Sequence, residues 1–180
     1  MAAVAANAAT FSWKTSTTGK INGPGTGAVL ASGTAYFFDS AVTDQTTLLA
    51  ALIGGADIAS QGALSYAAIS SGAISATSFD VPAGYSSGDT FAGYLATVLV
   101  DGGQTYVYIS PDASGATPAT GSKSLSVNAS SSKNAVTTFA PGEAITYSGS
   151  GWYTQSVPEP TSGVLLLLGM AGLALKRKRA

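Results

Sequence analysis

The chain has no cysteine and no histidine, and only 9% of its residues are charged. The missing cysteines exclude disulfide staples, so stability rests on a packed core. Without both residue types, Ser-His-Asp and Cys-His nucleophilic sites and the usual zinc ligand sets are excluded. The scarcity of charge argues against a disordered polyelectrolyte. It argues equally against a nucleic-acid partner, which needs a basic face to neutralise phosphates.

What is present is unevenly placed. Of the eight basic residues, Lys176, Arg177, Lys178 and Arg179 stand together at the end of the 180-residue chain. Between Thr10 and Ser156 only Lys14, Lys20, Lys123 and Lys133 face eight acids, namely Asp39, Asp44, Asp57, Asp80, Asp89, Asp101, Asp112 and Glu143, so the balance there is 4 − 8 = −4. A mildly acidic body rich in Gly, Ser, Thr and Ala, followed by a basic end, suits an exported domain with a cytoplasmic stop signal. The length suits one domain with a modest core.

The apolar run Gly163 to Leu175 is 13 residues long, and Thr161 and Ser162 extend it to 15. At about 1.5 Å per residue this reaches roughly 22 Å, short of the ~30 Å hydrocarbon core. Length alone favours a buried or interfacial helix. Four consecutive leucines, Leu165, Leu166, Leu167 and Leu168, leave no polar face, and the basic cluster can snorkel to headgroups. These features predict a short transmembrane helix with its C-terminus in the cytoplasm. Ahead of it, Pro158 and Pro160 disfavour helix at the preceding residues, so Val157-Pro158-Glu159-Pro160 is expected to be extended. An extended stretch beside a membrane is what a processing enzyme can grip; the plainer alternative is a Pro-rich linker before a helix.

The Val157-Pro158-Glu159-Pro160-Thr161 motif, the Leu/Gly/Ala span and the Lys/Arg cluster, in that order, resemble the PEP-CTERM sorting signal. The resemblance covers residues 157–180. It implies export to a bacterial envelope, recognition by an exosortase-type processing enzyme, and cleavage near the motif with release or transfer to the cell surface. It also implies a membrane partner during passage and association with exopolysaccharide. Bodies carrying this signal vary widely, so the resemblance leaves residues 10–156 open.

At the other end, Ala6-Asn7-Ala8 fits the small-x-small pattern of signal peptidase sites, but a charged n-region and most of an apolar h-region are missing. Residues 1–9 are either a signal-peptide remnant or an Ala-rich start. The tail tilts the reading to the remnant.

The body reads as mainly β: a sandwich or meander of short antiparallel strands with one or two small helices. The clearest element is a hairpin. Phe91 to Val100 and Tyr106 to Ile109 flank Asp101-Gly102-Gly103, with the turn expected at Asp101-Gly102. "GTAYFFDS", "AISATSFDV", "KSLSVNAS", "NAVTTFA" and "EAITYSG" read as further strands. In "SAVTDQTTLLAALIGG", Thr43 or Asp44 can cap a helix with Leu48, Leu49 and Leu52 on its apolar stripe, and Gly54 can end it in the left-handed region. "DIASQGALSYAAISSG" fits a helix or a strand.

No chemical motif stands out. Gly23-Pro24-Gly25-Thr26-Gly27 lacks the context of a phosphate loop. Asp39 and Asp44 can bind a cation, but such residues more often cap helices or turns. Asn128-Ala129-Ser130 is a sequon by coincidence in a Ser-rich stretch. Tyr106 and Tyr108 alternate with Val107 and Ile109; one face is core, and the other is either an exposed aromatic face for sugar stacking or a half-buried edge. The expectation is a non-enzymatic structural or adhesive surface protein with no metal or cofactor. The alternative is a carbohydrate-binding or carbohydrate-active module, which should gather Tyr106, Tyr108 and Asp101 on one concave surface.

Overall fold

The computed structural model describes residues 8–25, 27–130, 145–147 and 151–155. Two sheets and one helix stack in three layers. The small sheet holds β1 (Thr10–Thr15), β5 (Thr77–Asp80) and β9 (Ser122–Val127) in the order β5-β1-β9. The large sheet holds β2 (Ser32–Asp39), β3 (Ser65–Ser70), β4 (Ala73–Ile74), β6 (Thr90–Asp101), β7 (Gln104–Ile109), β10 (Ile145–Tyr147) and β11 (Trp152–Gln155) in the order β10-β11-β7-β6-β2-β3-β4. Strand β8 (Ala113–Ala116) pairs with the first half of β6.

The mainly-β expectation holds, with one departure: β1 and β9 run parallel, from Thr10↔Ser122 to Thr15↔Val127. Among the described residues, all the other strand pairs are antiparallel. The short alternating stretch "KSLSVNAS" predicts a strand, but its direction depends on a partner more than a hundred residues away.

Side-chain alternation divides the large sheet into two buried faces. Ala35, Phe37, Phe91, Leu95, Tyr108 and Trp152 point toward the small sheet and meet Phe11, Trp13, Leu125 and Val127. Phe11 stacks on Phe91 with centroids 4.6 Å apart, and Trp13 stacks on Phe37 at 5.1 Å. Offset aromatic pairs add about 0.5–1.5 kcal/mol each beyond their buried area, which suits a chain with no disulfide. On the opposite face, Phe38, Tyr94, Ala96, Val107, Ile109 and Tyr153 pack under the helix α1 (Gln45–Ile53) through Leu48, Leu49, Leu52 and Ile53.

Helix α1 is built as its sequence predicts at the start and one residue later at the end. Asp44 Oδ2 accepts from the Thr47 backbone N–H at 2.9 Å and from the Thr47 hydroxyl at 3.0 Å. The left-handed residue is Gly55, at φ 92°, whereas Gly54 stays helical at φ −70°. Ala56 and Gly55 then donate to the carbonyls of Ala51 and Leu52, closing a Schellman end.

The central hairpin joins β6 to β7, but its two turn residues are Gly102 and Gly103, at φ 58° and 80°, and Asp101 is the last paired residue, opposite Gln104. Two glycines satisfy a type I′ turn better than Asp-Gly, because both central positions need positive φ. "DIASQGALSYAAISSG" resolves into both of its readings: a 3-10 turn at Ile58–Ser60 capped by Asp57, then β3. "AISATSFDV" divides into β4, which finishes the large sheet, and β5, which belongs to the small one. "NAVTTFA" lies outside the described residues.

Candidate functional site

Every residue proposed for the sorting segment lies outside the described residues. This applies to Val157, Pro158, Glu159 and Pro160, to Gly163, Leu165, Leu166, Leu167, Leu168 and Leu175, and to Lys176, Arg177, Lys178 and Arg179. Ala6 and Asn7 of the expected signal remnant fall outside them too. Among the described residues, no helix is long and apolar enough to cross a membrane.

Within the body four carboxylates, Asp39, Asp44, Asp57 and Asp89, each accept from a backbone N–H two or three residues away, and Asp112 joins distant segments. Asp39 Oδ1 accepts from the Ala41 backbone N–H at 2.9 Å and from the Tyr85 hydroxyl at 2.9 Å. Asp44 caps α1. Asp57 accepts from Ala59 N–H at 3.2 Å, and Asp89 accepts from Ser86 N–H at 2.7 Å. Asp112 Oδ1 takes the Ser40 hydroxyl at 2.7 Å and the Gln45 amide at 3.0 Å, tying the start of α1 to the segment after β7. Short polar side chains in turns commonly serve the backbone in this way. Among the described residues, no three potential metal ligands gather at one place.

Three ionisable groups are displaced by burial and by these contacts. The two Thr47 donors hold the Asp44 carboxyl below its usual range. Burial, then the Asp39 hydrogen bond, raises the Tyr85 phenol; burial raises the Tyr94 phenol still more, with Asp44 and Asp112 adding to it. Tyr94 donates to the Thr43 carbonyl at 2.9 Å, which fixes the segment that enters α1.

The tyrosines singled out on β7 do not form a platform. Tyr106 and Tyr108 both face the inter-sheet core, Tyr108 fully buried against Trp152, and Val107 and Ile109 face the helix layer. From Val107 to Ile109 both faces of β7 are buried, one toward the inter-sheet core and one under the helix, while Gln104 to Tyr106 are half-buried. Asp101 sits exposed at the hairpin tip, opposite Gln104. With Tyr108 sealed in the core, the three groups cannot line one open surface. Asn22 and Val29 form an isolated antiparallel bridge, and the Gly23 N–H donates to the Ala28 carbonyl at 2.7 Å. In the sequon, Asn128 Oδ1 is turned back onto Ser130 N–H at 3.3 Å.

The body has a different open feature. A groove of about 690 Å³ lies where the edge of β3 passes β5, lined by Tyr36, Leu64, Ser65, Tyr66, Thr77 and Ser78 with two alanines. Tyr36 and Tyr66 are directly opposed in the β2–β3 pair, with ring centroids 6.0 Å apart and planes at 38°. Sequence reasoning misses this pair because its signal is divided between "GTAYFFDS" and "GALSYAAIS", and only the register unites them.

Residues 156–179 match the family model of the PEP-CTERM protein-sorting motif, and the match is confined to that segment. None of the curated proteins matches the chain, and none of the solved structures does.

Proposed function

We propose that this is an exported bacterial envelope protein whose residues 157–180 direct exosortase-type processing, and whose body, residues 10–156, is a non-enzymatic structural or adhesive module displayed outside the cytoplasm. The observation that carries the reading is the sorting-motif match at residues 156–179. It coincides with the three-part order of Pro-Glu-Pro, apolar run and basic cluster. In this reading the precursor crosses the membrane once through the Gly163 to Leu175 run, with Lys176 to Arg179 held on the cytoplasmic side. Processing then moves the body to the cell surface or beyond it, where exopolysaccharide is a neighbour.

The dispersed carboxylates support the non-enzymatic role. An acid–base pair needs two titratable groups facing one substrate position, whereas Asp39, Asp44, Asp57 and Asp89 each accept from a local backbone N–H. The stacked, disulfide-free core supports a durable displayed module.

The reading is tested by expressing the full chain and a variant with Pro158→Ala, Glu159→Ala and Pro160→Ala in a bacterium with an active exosortase, then separating membrane, surface and medium. The expected result is a processed surface or released form for the native chain and a membrane-retained precursor for the variant. Equal distribution of the two chains would overturn it.

A further inference from the structure

We propose that the Tyr36–Tyr66 groove binds a chain of neutral sugars. The inference deepens the reading of the body as an adhesive module and rests on it, but is independent of whether the tail is cleaved.

Helix α1 covers only part of the outer face of the large sheet. Beyond its end, the same face continues bare across β2 and β3. The directly opposed pairs there are Tyr36↔Tyr66, Thr34↔Ala68 and Ser32↔Ser70. Apart from Tyr36, which packs partly against the helix-side cluster, these side chains are exposed. Tyr66 is 70% exposed, a large ring held in solvent on a strand whose other face is buried. Among the described residues, neither the Tyr36 nor the Tyr66 hydroxyl has a hydrogen-bond partner.

The far wall of the groove is polar but uncharged. Thr77 and Ser78 come from the small sheet, and Ser65 closes the near side. The buried indole of Trp13 donates to the Ser65 Oγ, so the Ser65 hydroxyl proton is left to point elsewhere. That bond crosses from one sheet to the other and fixes the wall in place.

The chemistry of the lining selects the ligand. A pyranose offers a patch of C–H bonds for an aromatic face and a rim of neutral hydroxyls for neutral donors and acceptors. No lining residue carries a charge, so phosphate, uronate and cationic ligands find no complement here. The volume is that of a small-ligand site, roughly 300–1,000 Å³, but a site for a free small molecule normally buries most of its ligand. This groove is partly open to solvent, which suits a few residues of a polymer. A protein partner fits less well, because interface cores need large buried apolar anchors, and the aliphatic lining amounts to Leu64 and two alanines.

The test is affinity electrophoresis of the full-length chain, kept in a polyoxyethylene detergent that contains no sugar, through native gels carrying hydroxyethylcellulose, galactomannan, laminarin or dextran, with alginate as the charged counterpart. The expected result is retardation by at least one neutral polysaccharide. Tyr66→Ala should weaken it about tenfold or more, and Tyr66→Phe should preserve it, with circular dichroism unchanged in both and the melting temperature lowered by only a few degrees in Tyr66→Ala, through loss of the cross-strand pair. Tyr36→Ala provides a second reading from the opposite side of the pair. The proposal is overturned by retardation in alginate alone or in no gel. It is also overturned if folded Tyr66→Ala and Tyr36→Ala bind like the native chain, or if Tyr66→Ala changes only self-association measured by light scattering. A negative result leaves the sorting reading intact, and a failure of sorting leaves this result unaffected.

Discussion

The hydroxyl of Tyr85 donates to Oδ1 of Asp39 at 2.9 Å, joining the segment after β5 to the end of β2 across 46 positions of sequence. Asp39 is only 3% exposed, and the Ala41 N–H is its other donor. The Tyr85 ring stands edge-on to Phe91, with centroids 5.2 Å apart. One side chain thus serves the core with its ring and a buried carboxylate with its tip.

Tyr85→Phe keeps the ring contact and removes the donor. A hydrogen bond to a charged group contributes about 1.5–3 kcal/mol, so urea unfolding should show a stability loss in that range with an unchanged slope. An unmoved midpoint would show that water replaces the hydroxyl at no cost.

The pH dependence of stability follows from the absence of His and Cys and from three displaced groups. Ordinary side chains of the types present titrate below about pH 5 or above about pH 9, so the melting temperature should be level between those limits. Asp44 has a folded-state pKa below its unfolded value. Its contribution is complete above the unfolded value and is lost as pH falls through the folded one. Tyr85 and Tyr94 are raised, so their contribution is complete below about pH 10 and is lost as pH rises beyond it. Tyr94→Phe should flatten the alkaline arm, measured by calorimetry over a pH series. A step near pH 7 would contradict this assignment.

Gly93 lies between Asp39 of β2 and Ala113 of β8. A Cβ placed there would stand 2.6 Å from both Cε1 of Phe37 and the carbonyl oxygen of Phe38. Gly93→Ala should therefore cost about 1–3 kcal/mol through overpacking. Gly102→Ala meets nothing within 4 Å and carries only its φ of 58°, at about 1 kcal/mol. Chemical denaturation of both variants gives the ranking; equal effects would refute the steric account of Gly93.

The elements that sequence reveals are those with a local cause. Asp44 caps because Thr47 lies three residues on, and the β6–β7 hairpin forms because consecutive glycines separate two β-rich runs. What sequence hides is set by distant partners. The parallel alignment of β9 on β1, the division of "AISATSFDV" between two sheets, and the burial of both faces of β7 all depend on which layers close over a strand. Tyr108 and Tyr66 look alike in their local alternation, yet one is sealed against Trp152 and the other stands in solvent. The sorting segment is legible for the opposite reason: its signal is contiguous, from Pro158 to Arg179.

The proposed function rests on residues 157–180 acting as a processing signal. Intact-mass spectrometry of the mature protein, purified from the surface or medium of a bacterium with an active exosortase, tests it most directly. The expected species ends near Pro158-Glu159-Pro160 and lacks Lys176 to Arg179. A mature protein that retains Lys176 to Arg179 in every molecule would contradict it.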